Sequence, residues 1–202
     1  RWGLLDKYAL PEKFRFIAPE KLPSTVQELV IFYKALNISH VFRLGRGAPQ
    51  NSIPENFPDD IRKIYLSFNG TPDDRHFANL SDLEEIRRDI MDTYESQLED
   101  ESDEEPDTDD NCVDIRNHIH PGIIPIGKNY SGDSYFADPK HLSVTGYPVI
   151  VQHMHDEYMT GKLVANSLSE FLGRLMIERF TEVNGNEKQL TALLDTPIQI
   201  HP

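Results

Sequence analysis

The sequence predicts an α+β fold, with helices in the first half of the chain and consecutive strands in the second. Before the acidic stretch that starts at Glu95, apolar residues recur at the three- and four-residue spacing of a buried helix face. After that stretch, short apolar or aromatic runs are bounded by Gly, Pro, Asn and Asp, which is typical of strands. This order favours α+β over alternating strands and helices. The length of 202 residues fits one domain, so we expect residues 1–202 to fold as a single unit.

Three helices are predicted before the acidic stretch, over residues 24–36, 58–68 and 81–94. Ser24 and Thr25 are the candidate N-caps of the first helix, because their hydroxyl oxygens can accept hydrogen bonds from its first turn. Pro58 suits the first turn of the second helix. Ser81 and Glu84 form a capping-box pattern, which predicts the start of the third helix.

The second half of the chain predicts one sheet and two more helices. The predicted strands cover residues 123–126, 134–137 and 149–153, with a further short strand over 162–165. Gly132 and Asp133 are typical of the hairpin turn that precedes the second of these strands. Ser167 with Glu170 predicts the start of a helix over 168–182. A last short helix is expected to contain Leu190, Leu193 and Leu194.

The net charge of −14 is concentrated in one stretch, since ten acids and no base lie between Glu95 and Asp110. We predict a flexible acidic loop over 95–110 that is dispensable for folding, because it has almost no apolar side chain to bury. Such a loop is either a solvated surface segment or a segment that attracts a basic partner. An acidic surface repels phosphate backbones, and no apolar run approaches the ~20 residues that span a bilayer. Neither nucleic acid nor a membrane is therefore expected as a partner.

Two His-x-His pairs, His118 with His120 and His153 with His155, are the strongest indication of chemistry. Residues two apart on a strand face the same side, so each pair could present two imidazoles to zinc or iron. The first pair, however, has no predicted strand to align it, and we predict no metal on these four histidines. Cys112 is a single cysteine without a basic neighbour, and no nucleophile motif is present. We therefore expect no catalytic residues and no cofactor, and keep a His-x-His metal-dependent enzyme as an alternative.

Several segments follow one another in an order that is typical of one protein family. They cover residues 57–70, 80–83, 124–127, 131–138, 149–156 and 164–172. The first looks like a family helix that ends in Asn-Gly. The third and fourth look like a core Ile-Pro-Ile-Gly strand and the Gly-Asp turn and strand that follow. With these segments the chain resembles the SMI1/KNR4 family, the SUKH superfamily, over about residues 55–176.

The resemblance implies an α+β fold in which helices pack on a mixed sheet. It sets residues 1–50 apart as an N-terminal extension of the family core. It also implies binding in place of catalysis, because bacterial members are chiefly immunity proteins that neutralise toxins of contact-dependent or polymorphic systems. Fungal members act as regulatory scaffolds in cell-wall signalling, and a scaffold is therefore the alternative function.

From this resemblance we expect a cytoplasmic protein whose partner is a basic, nuclease-like toxin domain. Exposed acids near the edge of the sheet and aromatic anchors would form the interface, since aromatic residues are common binding hot spots. The residues predicted to bind the partner are Tyr130, Gly132, Asp133, Tyr135, His155, Asp156 and Tyr158. For the tyrosines, ordinary packing is the alternative role.

Overall fold

The computed structural model describes residues 19–39, 42–72, 75–99 and 111–200. Within these ranges the helices are α1 (Val26–Leu36), α2 (Asp59–Ser67), α3 (Leu83–Glu99), α4 (Leu168–Asn184) and α5 (Lys188–Leu194). The strands are β1 (Cys112–Asp114), β2 (Ile124–Lys128), β3 (Ser134–Leu142), β4 (Pro148–His153) and β5 (Thr160–Ala165). The predicted α+β fold is confirmed. Each predicted helix and strand is present with shifted bounds, whereas β1 was not expected from the sequence.

The five strands form one sheet in the order β1-β5-β4-β3-β2. Strands β2 to β5 are neighbours in sequence order, so short turns connect them and each returns antiparallel to the one before. Strand β1 pairs with β5, also antiparallel. The sheet is thus antiparallel at every pair, in place of the mixed sheet that the resemblance implied. The three central predicted strands share this sheet, as expected.

Helices α3 and α4 cover opposite faces of the sheet. On one face, the ring of Tyr135 packs against Phe171 of α4 with centroids 5.0 Å apart, and Gln152 lies opposite Tyr135 in the register of β3 and β4. The next residue, His153, contacts Gln97 of α3. Because neighbouring residues on a strand point to opposite faces, α3 lies on the other side of the sheet.

Helix α1 packs against α4 and extends the helical side of the core. It buries Leu29, Phe32 and Leu36, among others. These side chains belong to the same hydrophobic core cluster as the apolar residues of the sheet. The segment 1–50, which the resemblance set apart as an extension, therefore contributes a helix to the packed core. Residues 1–18 of that segment lie outside the described ranges.

The predicted N-caps of the first and fourth helices are confirmed. The Thr25 hydroxyl accepts a hydrogen bond from the backbone N–H of Glu28 at 3.2 Å, at the start of α1. Ser167 accepts in the same way from the N–H of Glu170 at 3.1 Å, at the start of α4. Both hydroxyls satisfy N–H groups that a first helical turn leaves without an intrahelical acceptor. Across the described ranges, no helix has the length and apolar character needed to cross a membrane.

The third helix differs from its prediction at both ends. Ser81 lies inside a 3₁₀ turn (Leu80–Asp82) that leads directly into α3, so it does not cap the helix. At the other end α3 continues to Glu99. The prediction of a loop over 95–110 is therefore wrong for residues 95–99, which are helical. Residues 100–110 lie outside the described ranges.

The outer edge of β2 is covered by the segment 75–78. The backbone N–H of Ala78 donates to the carbonyl oxygen of Ile126 at 2.8 Å, so the covering segment takes up hydrogen-bonding groups of the edge strand. Gly127 lies where the two backbones approach most closely. A Cβ at this position would overlap the carbonyl oxygen of His76. This close approach requires glycine.

We expect Gly127→Ala to lower the free energy of unfolding by about 2–3 kcal/mol, because the added methyl group must push the segment 75–78 away from β2. Urea denaturation of the two proteins at neutral pH measures the difference. A loss below ~0.5 kcal/mol, the size of an ordinary surface substitution, would show that the segment 75–78 can move away from β2 with little loss of stability.

Candidate functional site

The turn between β2 and β3 is attached to the end of β4 by one carboxylate, that of Asp133. Its Oδ2 accepts hydrogen bonds from the side-chain amides of Asn129 and Gln152, both at 2.8 Å. Its Oδ1 accepts from the backbone N–H of His155 at 3.2 Å and lies 2.9 Å from Nδ1 of the same residue. Gly132, with φ of 109°, leaves little room for a side chain beside the His155 ring. The β2–β3 and β4–β5 turns therefore form one connected unit.

Hydrogen bonding keeps the central carboxylate of this unit ionised. Burial raises the pKa of Asp133, but the hydrogen bonds from His155, Asn129 and Gln152 outweigh it and hold the pKa below its ordinary value. The second ring nitrogen of His155, Nε2, lies 2.9 Å from a carboxylate oxygen of Asp156. The imidazole thus lies between two carboxylates, one half-enclosed and one in solvent.

The residues predicted to bind a partner differ widely in exposure. Tyr130 is 71% exposed, and the side chain of Asp156 is 84% exposed. Tyr158 is half-buried and packs against the core. Tyr135 is only 7% exposed, between Phe171 and the ring of His76. A partner could reach Tyr135 only by displacing the residues that cover it. Tyr135 therefore packs beneath the turn and is not part of its exposed surface.

On the opposite face of the sheet, Gln97 near the end of α3 holds the β4–β5 turn. Its amide nitrogen donates to the carbonyl oxygens of Met154 and Glu157, at 3.3 and 3.1 Å. Its Oε1 lies 3.1 Å from Nε2 of His153, which is 1% exposed. Burial lowers the pKa of His153 to about 4, so the ring is neutral at pH 7 and its Nε2–H donates to Gln97.

The acidic stretch begins beside the β4–β5 turn and rejoins the described structure next to the middle of β5. Helix α3 ends at Glu99, two residues after Gln97, and the carbonyl of Asn111 accepts a hydrogen bond from the N–H of Leu163 in β5 at 2.8 Å. Residues 100–110, between these two placed ends, add eight acids and no base.

We use the name turn surface for the exposed and half-exposed side chains that the two turns present, namely Tyr130, His155, Asp156 and Glu157.

A second carboxylate, that of Asp138 in β3, brings three histidines together in the interior. Its Oδ2 lies 2.9 Å from Nδ1 of His118 and 2.6 Å from Nδ1 of His141. Its Oδ1 lies 2.9 Å from Nε2 of His120 and accepts the N–H of Lys140. Asp138 is fully buried. Burial raises its pKa, but the hydrogen bonds from the three imidazoles outweigh this effect and hold the pKa far below its ordinary value.

The two His-x-His pairs do not form one site, because one contacts the middle of β3 and the other contacts the turn and first residue at its start. The first pair contacts Asp138, whereas His155 contacts Asp133 and His153 lies opposite Ser134. Asp133 and Asp138 are five positions apart in the sequence, which corresponds to roughly 17 Å in an extended strand. The single four-histidine metal site considered from the sequence therefore does not exist in this structure.

Sequence reasoning missed His141 and the buried role of Asp138. The pattern of apolar residues ends the predicted strand at 137, whereas β3 continues to Leu142. The spacing of three residues between Asp138 and His141 is the one available signal, and such spacing is common without any contact. Gln97 was missed as well, because it lies in the stretch whose charge predicts a loop.

The comparison with protein families gives one match. The model of the SMI1 / KNR4 family (SUKH-1) matches residues 50–174, which includes β2 to β5, both carboxylate clusters and the start of α4. The comparisons with curated proteins and with solved structures gave no significant match. The matched segment is more than half of the chain, and it agrees with the range over which the motifs resemble the family. The chain therefore belongs to the SMI1/KNR4 family (SUKH-1).

Proposed function

We propose that this protein is a non-catalytic binding module of the immunity type, which neutralises a basic toxin domain through the turn surface and the adjacent acidic stretch. Membership of the SMI1/KNR4 family supports a role in binding proteins. The observation that carries the proposal is the solvent-exposed Tyr130 on a turn that Asp133 fixes at its base.

A fixed turn suits Tyr130 to act as an anchor. The backbone N–H of Asp133 donates to Asn129 at 2.9 Å, and the two side chains bond again at 2.8 Å, so the turn is closed twice. The Tyr130 ring also meets the ring of His76 edge-on, with centroids 5.8 Å apart. An aromatic side chain held in this way loses little conformational entropy on binding, which favours affinity.

Charge determines the kind of partner that this surface suits. Asp156 and Glu157 are exposed on the turn surface, and the stretch 100–110 follows the end of α3, where Gln97 contacts the β4–β5 turn. Like charges in this number create a field that attracts a basic protein and speeds its approach. A toxin domain that grips phosphates has such a basic surface.

Co-expression with the product of the neighbouring gene, in a host that this product kills, tests the proposal. We expect rescue of growth and a complex that survives purification. Tyr130→Ala should weaken the complex by roughly 30-fold, the effect of a hot spot of about 2 kcal/mol. Ile31→Ala is the matched control, because Ile31 is 68% exposed on α1, outside the turn surface. Its affinity should stay within about twofold of the unsubstituted protein.

The charge contribution is tested separately by replacing the eight acids of 100–110 with Asn and Gln. The association rate should fall by about tenfold or more at low salt, and its dependence on salt should become weaker, with a smaller change in the dissociation rate. Absence of both rescue and complex would contradict the immunity function and favour the regulatory scaffold. Equal effects of the Tyr130 and Ile31 variants would place the interface elsewhere on the protein.

A further inference from the structure

The interior cluster around Asp138 has the composition of a metal site. We infer that His118, His141 and Asp138 bind one divalent transition-metal ion, with Zn²⁺ as the best-suited probe. One donor atom from each residue lies within 4.8 Å of the other two. Two imidazole nitrogens and one carboxylate oxygen are a ligand set that zinc and its neighbours in the first transition series accept.

The fourth polar residue of the cluster is a support and not a ligand. The backbone N–H of Gly122 donates to Nδ1 of His120 at 3.0 Å, so this nitrogen is unprotonated and the proton of the neutral ring is on Nε2. That Nε2–H then donates to Oδ1 of Asp138, together with the N–H of Lys140. Oδ1 is thereby occupied. Oδ2 accepts from Nδ1 of His118 and of His141, so a metal ion would replace these two hydrogen bonds, with each neutral ring carrying its proton on Nε2 in place of Nδ1. Metal-bound carboxylates are commonly oriented by such outer contacts.

The geometry requires only small movements to accept an ion. Tetrahedral Zn²⁺ with bonds of 2.0–2.1 Å separates its ligand atoms by roughly 3.3 Å. The Oδ2 atom of Asp138 lies 2.9 Å from Nδ1 of His118 and 2.6 Å from Nδ1 of His141. Both distances must therefore widen by less than ~1 Å. The distance between the donor atoms of His118 and His141 is at most 4.8 Å, so it must shorten by no more than about 1.5 Å. His118 is nearly enclosed, whereas 36% of the His141 side chain is exposed, so the ion can enter on the side of His141.

Three protein ligands leave one position of a tetrahedral ion for water. The ion would connect the segment after β1, which carries His118, with the end of β3. This inference departs from the expectation of no metal on the two His-x-His pairs. That expectation treated the four histidines of the pairs as the donors, whereas this site takes only His118 from them and adds Asp138 and His141.

Titration of the EDTA-treated 202-residue chain with ZnCl₂ tests the site by calorimetry. We expect saturable binding of one Zn²⁺ per chain and a rise in melting temperature on binding. His141→Ala, which removes the most exposed ligand and leaves the core intact, should weaken binding by roughly 100-fold. His155→Ala is the matched control, since it removes a half-exposed imidazole beside the other carboxylate, and should leave the affinity within about twofold. Titration with Co²⁺ should give the intense visible absorption of a tetrahedral ion.

Two results would overturn the inference. One is the absence of saturable 1:1 binding by the unsubstituted chain. The other is an equal loss of affinity in the His141 and His155 variants, which would indicate adventitious binding by surface histidines. The zinc affinity of each variant is measured from that variant's own metal-free form. A change in the stability of the metal-free protein therefore does not produce either result. The measurement involves no protein partner, so it is independent of the proposed function.

Discussion

Replacement of Asp138 by alanine is expected to lower the free energy of unfolding by about 4 kcal/mol with EDTA present. The carboxylate is fully buried and accepts from three imidazoles and one backbone N–H. Its removal leaves these donors without an acceptor and creates a cavity beside β3. Each buried polar group that loses its partner costs about 1–3 kcal/mol, and removal of one member of a buried ionic cluster typically costs about 3–5 kcal/mol.

Asp156→Ala is the matched control for this prediction. Its carboxylate also contacts an imidazole, that of His155, but the side chain is 84% exposed. An exposed pair of this kind contributes at most about 1 kcal/mol. Urea denaturation at pH 7 compares the two variants with the unsubstituted chain. Similar small losses in both variants would contradict the assignment of Asp138 as the centre of a buried network.

The second large effect is a loss of stability between pH 6.5 and pH 4.5 that depends on His153. Its pKa is about 4 in the folded protein, because burial penalises the charged ring, against 6.5 for the ordinary group. Within this window the unfolded chain binds a proton that the native ring does not, so the free energy of unfolding falls as the pH falls. The two-unit window corresponds to about 2–3 kcal/mol, at ~1.4 kcal/mol per pH unit.

His153→Gln isolates this contribution from the other groups that titrate. The glutamine amide can still donate to Oε1 of Gln97 and carries no titrating proton. Chemical denaturation at pH 6.5 and at pH 4.5 gives the change in stability for each protein. We expect the unsubstituted chain to lose about 2–3 kcal/mol more than the variant over this interval. Equal losses of unfolding free energy in the two proteins between pH 6.5 and pH 4.5 would show that protonation of His153 does not destabilise the fold.

Local signals predicted most of the fold. The Thr25 and Ser167 caps act within four residues of chain, and the structure retains both. The third helix shows where such signals fail. Its last turn carries charge that favours a loop in isolation, yet Gln97 there binds the β4–β5 turn and His153 across 56 or more residues of chain. Tertiary contacts of this kind override local preference and are not visible in the sequence.

For the two carboxylate clusters, too, the sequence predicts local contacts but not contacts between distant segments. Gly132 and Asp133 could be placed in a turn from their residue types alone, and Asp133 does close that turn with Asn129. The partners of Asp138, by contrast, depend on how far β3 extends and on where the segment after β1 returns. His118 meets Asp138 although β1 pairs with β5 and β3 lies two strands further into the sheet, and no local pattern specifies that contact.

The acidic stretch enters the described structure at two fixed points, the end of α3 and the start of β1. A connection whose ends are already fixed can change in length at low cost, since each doubling adds only about 0.6 kcal/mol to the entropy of closing it. Among the described residues, Asn129, Gln152, His155 and Gln97 already supply contacts that hold the two turns together. Insertion, deletion or exchange of acids there should therefore alter the attraction for a partner almost independently of folding. Under the proposed function, evolution could adjust partner preference in this one segment while selection maintains the rest of the fold.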